Sequence, residues 1–157
     1  RTNVTPFCLE SPYFGLGFES IPLPFSGTTV VDAWRVTSRC IDVTALHADW
    51  RSGDQPWRTF LDAERIDRIM LTTPENLPSG VQFAPLGMAG RHKQLGDFFT
   101  DRKIPVALRA GWPLTVCAES GEILWVCGLQ PGHAARITAT TKKVLMLEFM
   151  ESPCAPT

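Results

Sequence analysis

The sequence predicts a β-rich α+β fold of many short strands with one helical patch. Several short segments alternate apolar and polar residues, as strands with one buried face do. Twelve glycines and 13 prolines among 157 residues favour many short elements over long helices. Only residues 91–101 change to the helical period.

The first half of the chain is predicted to consist of strands separated by breaks. Residues 1–28, rich in proline and glycine, are interpreted as a lead-in with one or two short strands. Segments rich in Val, Ile, Thr and Trp then predict strands at 29–36 and 40–46. Residues 58–66 are predicted to be a strand that runs into a short turn at 62–64, and a further strand is predicted at 68–72. Polar residues 47–56 indicate a loop, and residues 74–80 break the chain again.

A helix is predicted from Arg91 to Asp101. Leu95, Phe98 and Phe99 are spaced i, i+3, i+4, which gives the helix one apolar face. Pro105 is suited to the first position of a second short helix that stops near Gly111.

The second half ends in strands. The strongest hairpin signal joins 114–118 to 122–127 through the turn Ser120–Gly121. Residues 129–133 are predicted to be a loop, and alternation over 143–149 predicts a final, well-buried strand. The predicted organisation is a lead-in, a β-rich linker or subdomain, a C-terminal domain and a tail, at 1–28, 29–79, 80–150 and 151–157.

Composition narrows the class of protein. No stretch reaches the roughly 20 apolar residues of a membrane helix, so no membrane partner is expected. The chain begins at Arg1 and is interpreted as a piece of a longer polypeptide. Its five cysteines are odd in number and widely spaced, which predicts free thiols in a reducing cytoplasm.

Charge is distributed unevenly along a chain of net charge −1. Residues 1–80 hold seven Lys/Arg against ten Asp/Glu, whereas residues 81–157 hold eight against six. The one concentrated basic stretch runs from Arg91 to Arg109. Such a stretch is typical of an anion-binding surface or of a merely solvated face.

Sequence motifs of common catalytic sites are missing. The chain has no phosphate-binding glycine loop, dinucleotide turn, HExxH helix or GxSxG elbow. Its three histidines lack metal-ligand spacing, so no metal site is predicted. The five tryptophans are expected to be buried anchors, with one or two left to stack on a base or a partner.

The segment Phe83–Leu114 resembles the C-terminal domain of tRNA(Ile)-lysidine synthetases. The resemblance rests on a Pro-Leu-Gly-Met turn, a basic helix ending in paired phenylalanines, a Lys-Ile-Pro, an arginine and a Pro-Leu strand, at 85–88, 91–99, 103–105, 109 and 113–114. A strand with Ile123, Trp125, Val126 and Gly128, and the segment 140–145, are also similar. Residues 20–73 resemble the preceding part of the family more loosely, through 21–24, Gly27 and 60–62.

The resemblance implies a fold and a function. The fold is a small sandwich related to a domain of phenylalanyl-tRNA synthetase β-subunits. The function is to hold isoleucine tRNA, including its acceptor stem, while the wobble cytidine is converted to lysidine. That ATP-dependent ligase chemistry belongs to an N-terminal PP-loop domain, whose Ser-Gly-Gly-x-Asp-Ser motif this chain lacks. The parent is thus expected to be a cytoplasmic enzyme using ATP and magnesium, with no catalytic residue or cofactor in this chain.

The tRNA-binding residues are expected among the basic stretch, at Arg91, His92, Lys93, Arg102, Lys103 and Arg109. Arg109, close to Trp112, is equally compatible with a structural role. The family usually carries further basic residues near Val81–Gln82 and Val106–Ala107, which are uncharged here. The RNA surface is therefore expected to be weaker than usual or shifted.

Two alternatives remain open at this point. The domain could instead dock on its own N-terminal PP-loop domain or form a homodimer, with little RNA contact. It could also be a stand-alone enzyme with an unrecognised pocket, which would require titratable groups that converge.

Overall fold

The computed structural model describes residues 20–31, 34–46 and 56–151. Its strands are β1 Ile21–Leu23, β2 Gly27–Val31, β3 Trp34–Asp42, β4 Arg58–Asp62, β5 Ile69–Thr72, β6 Gln82–Phe83, β7 Lys93–Gln94, β8 Leu114–Cys117, β9 Ile123–Val126, β10 Gln130–Pro131 and β11 Lys143–Glu151. Its α-helices are α1 Leu95–Asp101 and α2 Val106–Arg109. Short 3-10 turns lie at Val43–Ala45, Ala63–Arg65 and Pro74–Asn76. Neither α-helix of this described part has the length and apolar character that a membrane crossing requires.

Two antiparallel sheets and a small ribbon organise these strands. One sheet has the order β1-β5-β8-β9-β10, the other has the order β2-β3-β11-β4, and β6 pairs with β7. Both large sheets combine strands from before and after residue 80, since β5 pairs with β8 and β11 lies between β3 and β4. The predicted β-rich α+β class is confirmed.

The core lies where the two sheets meet and is dominated by aromatic rings. Phe149 of β11 contacts Trp125 of β9, with ring centroids 5.7 Å apart. Trp57, just before β4, stacks on Trp34 of β3 at 5.7 Å. All residues of β8 and β9 are buried, so these two strands form the centre of the five-stranded sheet. Trp50 lies outside the described residues.

Strand β11 follows its predicted alternation from Leu145 to Phe149 but not at Val144, which is also fully buried. Leu145, Leu147 and Phe149 are buried, while Met146 and Glu148 between them are only half-buried. Fully burying each such side chain contributes about 1.5–3 kcal/mol. Strand β11 pairs with β3 on one edge and with β4 on the other, so it joins β4 to the rest of the four-stranded sheet.

The predicted hairpin is also confirmed. Gly121 takes φ +76°, which the tight turn requires, and the Cys117 backbone N–H donates to the Glu122 carbonyl at 2.9 Å. The Ser120 hydroxyl accepts from the Glu122 N–H at 3.1 Å. The register shifts between Thr115 and Val116, as in a β-bulge.

The predicted boundaries in the first half are wrong. The predicted strand 29–36 is two paired strands, with Val31 opposite Trp34, so the chain reverses where no glycine or proline signals a turn. Strand β3 also includes residues 37–39, between the two predicted strands, because this segment pairs with β2 on one side and with β11 on the other. Residues 1–19 of the predicted lead-in lie outside the described residues.

The predicted helix begins four residues later than expected. Lys93 is paired with Phe83 in the ribbon β6–β7, and the Leu95 N–H donates to the Val81 carbonyl at 2.9 Å. These long-range bonds outweigh the helical pattern. Pro105 precedes α2 as its N-cap, and the predicted loop 129–133 contains the short strand β10.

Candidate nucleic-acid interface

The end of helix α1 presents two of the predicted basic residues. The Ile104 N–H donates to the Phe99 carbonyl at 3.0 Å, and the Lys103 N–H donates to the Thr100 carbonyl at 3.0 Å. This is a Schellman motif, in which the residue after the C-cap takes a left-handed conformation. Lys103 holds that position with φ +60°. The motif closes the helix over buried Phe99 and Ile104 and leaves Arg102 and Lys103 exposed.

Arg102 is held by two contacts. Its guanidinium carbon lies 5.0 Å from the ring centroid of Phe98, a cation–π geometry. Its Nη2 donates a hydrogen bond to Oε1 of Gln130. The arginine is therefore positioned although it is exposed, and its other N–H donors remain available to an anion.

A tight turn after β6 carries Arg91 and His92. Gly87, Ala89 and Gly90 have positive φ, and the Arg91 N–H closes the turn onto the Met88 carbonyl at 3.0 Å. The Leu86 N–H donates to the Pro131 carbonyl at 3.1 Å, and the Leu86 carbonyl accepts from Nε2 of Gln130 at 2.6 Å. Gln130 thus connects this turn directly to Arg102.

Two predicted site residues face acidic partners. Lys93 forms an ion pair with Asp101 of α1. His92 Nε2 lies 3.6 Å from a carboxylate oxygen of Glu122, in the turn of the β8–β9 hairpin. Both contacts involve substantially exposed groups, so each contributes at most about 1 kcal/mol. The ion pair with Asp101 reduces the positive charge that Lys93 offers to a ligand.

Arg109 is largely occupied inside the fold. Its Nε donates to the Ile104 carbonyl at 2.9 Å, and its Nη1 donates to the Thr100 hydroxyl at 3.2 Å. Its guanidinium carbon also lies 5.9 Å from the Phe99 ring centroid. These contacts hold α2 against α1, which favours the structural role for Arg109.

Three residues beside this surface were missed from the sequence. Gln130 is one, and the others are His133 and Arg136. A Cβ on Gly90 would lie 3.3 Å from Nε2 of His133, and Nη1 of Arg136 donates to the His133 carbonyl at 3.1 Å. All three follow β9: Gln130 and His133 lie in the predicted loop 129–133, and Arg136 lies just beyond it. Pairing with β9 and the bridge between Gly132 and Pro85 bring this segment to the turn. A lone glutamine in a loop carries no sequence signal for such a role.

The departure from the family's basic pattern is visible on α2. Val106 is 77% exposed where the family often carries an arginine. Val81 is half-buried, and its carbonyl accepts the first N–H of α1. The exposed positive charge is thereby concentrated on Arg91, Arg102 and Lys103, which have no ion pair among the described residues.

Among the described residues, three titratable groups have pKa values that are clearly shifted. Burial raises the pKa of Cys127 well above its usual value. Burial also acts to raise the pKa of Cys117, but hydrogen bonds from Ser120 and neighbouring backbone groups give a net lowering. The Thr44 N–H and hydroxyl lower the pKa of Asp42.

A groove of about 340 Å³ lies beside α1, and residues from Pro74 to Val81 line its other side. None of these three groups lines this groove. In the described part of the chain, no group of three or more His, Cys, Asp or Glu could hold a metal ion.

Comparison with known proteins gives consistent matches. Residues 75–146 match the family model described as the TilS substrate C-terminal domain. The tRNA(Ile)-lysidine synthase of Dehalococcoides mccartyi is 40% identical over 121 residues, which cover 77% of this chain and 24% of that protein. The tRNA(Ile)-lysidine synthase of Caldanaerobacter subterraneus is 31% identical over 123 residues, covering 78% of this chain and 24% of that protein.

The chain spans about a quarter of the length of these two relatives. A solved structure, described as the crystal structure of a TilS C-terminal domain, superposes with a TM-score of 0.65 at 19% identity. The match covers 85% of this chain and 98% of that one, which shows that the fold is shared.

Proposed function

Since this chain belongs to the tRNA(Ile)-lysidine synthase family through its TilS C-terminal domain, we propose that it binds the tRNA substrate of a lysidine-forming enzyme. The catalytic chemistry, with ATP and magnesium, is assigned to the N-terminal PP-loop domain of the parent. The role of this domain is to hold isoleucine tRNA while the wobble cytidine of that tRNA is modified. A cytoplasmic location follows from that role and stays a prediction.

The observation that carries the proposal is the fixed, exposed guanidinium of Arg102, with Lys103 beside it. Arginine suits a phosphate because its planar fork can donate two parallel hydrogen bonds. An arginine that is already ordered loses less entropy on binding than a free one. Gln130 joins Arg102 to the turn that carries Arg91, so the cations of two separate segments belong to one connected surface.

This surface fits the backbone of a helical RNA. An acceptor stem is A-form, and side chains read its deep, narrow major groove poorly. Recognition then depends on phosphate positions and shape, which positioned arginines and lysines can supply. Lys93 and His92, which face acidic partners, are assigned a smaller share, and Arg109 a structural one.

The test is binding of this chain to unmodified isoleucine tRNA across a salt series. The double variant Arg102→Gln/Lys103→Asn removes two charges, and asparagine tolerates the left-handed conformation at position 103. The matched control, Arg39→Gln/Lys142→Gln, removes two exposed charges from other parts of the fold.

We expect weaker binding and a salt slope reduced by about 0.7–0.9 per lost phosphate contact in the first variant only. Equal effects of both variants, or no binding of the unaltered chain at low salt, would refute the proposal.

A docking or dimerisation role is the second candidate. Val30 is 66% and Met150 is 42% exposed, and cross-strand pairing places both beside Arg35 on the same face of the four-stranded sheet. Exposed apolar patches often mark protein contacts. Sedimentation over a concentration series checks this candidate, because self-association that Val30→Thr abolishes and salt leaves unchanged would support it over RNA binding.

A further inference from the structure

We propose that Gln130 is a positioning residue of the tRNA-binding surface, which holds Arg102 in the orientation that meets a phosphate. This inference rests on the proposed function and adds to it a residue outside the basic stretch. Gln130 is uncharged and half-buried, and lies 28 residues from Arg102 in the sequence.

The chemistry of its two partners fixes the amide of Gln130. The Leu86 carbonyl can only accept a hydrogen bond, and the Arg102 guanidinium can only donate one. The amide therefore points Nε2 to Leu86, at 2.6 Å, and Oε1 to Arg102. The amide satisfies both partners at once, whereas a carboxylate would face a carbonyl and an aliphatic chain would make neither hydrogen bond.

The backbone that carries Gln130 is anchored. Gln130 pairs with Val126 of β9, and its neighbour Pro131 accepts the Leu86 N–H at 3.1 Å. Gly132 follows so closely on the sheet that a Cβ there would lie 2.6 Å from the Ile123 carbonyl oxygen. The glutamine thus links the guanidinium to the central sheet.

Loss of the Gln130 amide is expected to make the Arg102 side chain less ordered and to leave its positive charge unchanged. The Phe98 ring supports one face of the guanidinium, and the Gln130 oxygen engages one N–H donor at its edge. Without the amide, the ring contact alone leaves the fork free to rotate. Binding must then immobilise a flexible side chain, which lowers affinity about three- to tenfold while the number of positive charges stays the same.

The experiment combines Gln130 and Arg102 variants in tRNA binding across a salt series. Gln130→Ala is expected to weaken binding about three- to tenfold with an unchanged salt slope. Arg102→Ala is expected to weaken binding and also to flatten the slope. In the Arg102→Ala background, Gln130→Ala should have no further effect, because the two residues act as one unit.

A second variant and a control separate positioning from general damage. Gln130→Glu keeps the side-chain volume and pairs with Arg102 as an ion pair, so it should weaken binding and flatten the slope as Arg102→Ala does. Gln82→Ala removes an exposed glutamine on the ribbon and should bind like the unaltered chain. Thermal unfolding identifies any variant that fails to fold. If Gln130→Ala fails to fold, the binding of Gln130→Glu serves as the test.

The outcomes distinguish this inference from the proposed function. Binding that Arg102→Ala weakens and that neither Gln130 variant changes overturns the role of Gln130 alone. Additive effects of Gln130→Ala and Arg102→Ala overturn it as well, because Gln130 then acts independently of the arginine. An unaltered chain that fails to bind tRNA at low salt overturns both proposals.

Discussion

At position 103 a lysine occupies a place where glycine is the usual residue. A left-handed residue other than glycine is disfavoured by about 1–2 kcal/mol, because its Cβ crowds the backbone. The exposed Lys103 side chain has no ion pair among the described residues that would offset this strain. Strain of this kind persists mainly at functional positions, which is consistent with a charge that serves binding.

Lys103→Gly should therefore stabilise the fold while weakening tRNA binding. We expect the free energy of unfolding to rise by about 0.5–1 kcal/mol, since the greater entropy of glycine in the unfolded chain offsets part of the relieved strain. Urea unfolding measures the first effect and the salt-series binding assay the second. A variant that loses stability would show that the lysine side chain makes contacts important to the fold.

Cys127 should make stability depend on pH above neutrality. It is fully buried, and its pKa in the folded state is raised well above the usual value. The stabilisation is complete below the unfolded-state pKa of about 8.5 and is lost as the pH rises from there towards the folded-state pKa. Between those limits the free energy of unfolding falls by up to about 1.4 kcal/mol per pH unit.

The measurement is urea unfolding of the chain and of Cys127→Ala at pH 7, 8.5 and 10. The alanine variant removes this titration and keeps the others, so its stability should fall less steeply. Parallel pH dependence of the two proteins would show that Cys127 does not control it.

At the scale of elements, the aromatic and aliphatic patterns predicted which segments are regular, but not where they end. The spacing of Leu95, Phe98 and Phe99 gave the buried face of α1 correctly. The predicted start of the helix was wrong because Lys93 pairs with Phe83. These residues are ten apart, and a local sequence pattern does not indicate such a contact. The same limit hid β10 and, with it, the role of Gln130.

Just after β9 the backbone passes close to the ring of Trp57, and Gly128 is the residue that permits this approach. Gly128 has φ +79°, and a Cβ there would lie 2.5 Å from the ring of Trp57. That ring is buried and stacks on Trp34 and Trp112, so it has little room to move. Gly128 is one of the positions on which the family resemblance rests, and the contact supplies a physical reason for it.

Gly128→Ala should destabilise the fold by more than about 3 kcal/mol, because overpacking adds to backbone strain. Gly121→Ala is the matched control, since Gly121 has φ +76° and open space around it. That variant should lose only the roughly 1–2 kcal/mol of strain. Equal losses in thermal or urea unfolding would show that Trp57 yields and that packing at this point is loose.

For the molecule as a whole, the many short segments predicted a β-rich fold with a helical patch, and the family resemblance implied a small sandwich. Neither indicated how strands from the two halves of the chain pair. Pairing of β5 with β8, and of β11 with β3 and β4, joins residues on opposite sides of the predicted division at residue 80. The basic stretch was likewise found from the sequence, whereas the ion pair of Lys93 with Asp101 and the contact of His92 with Glu122 depend on tertiary packing. Whether 29–79 and 80–150 are separate folding units stays a prediction.

A buried bond between those two segments tests that division. The Thr141 hydroxyl donates to Asp62 at 2.9 Å, and both residues are buried. Asp62 also accepts the Glu64 N–H as the cap of a 3-10 turn. Asp62→Ala removes the acceptor of the buried Thr141 hydroxyl and the cap of the 3-10 turn, and should lower stability by about 2–4 kcal/mol. Asp42→Ala removes a similar cap at an exposed turn, with a smaller expected loss.

Because strands of both segments pair within the same sheets, we expect tryptophan fluorescence and far-UV circular dichroism to report one coincident unfolding transition. Asp62→Ala should move that transition as a unit, since the bond it breaks belongs to both segments. Two transitions, of which the variant shifts only one, would instead establish 29–79 and 80–150 as independent units. The tRNA-binding surface would then depend on the stability of unit 80–150 alone. A variant in 29–79, such as Asp62→Ala, would leave tRNA affinity unchanged even if it unfolded that segment.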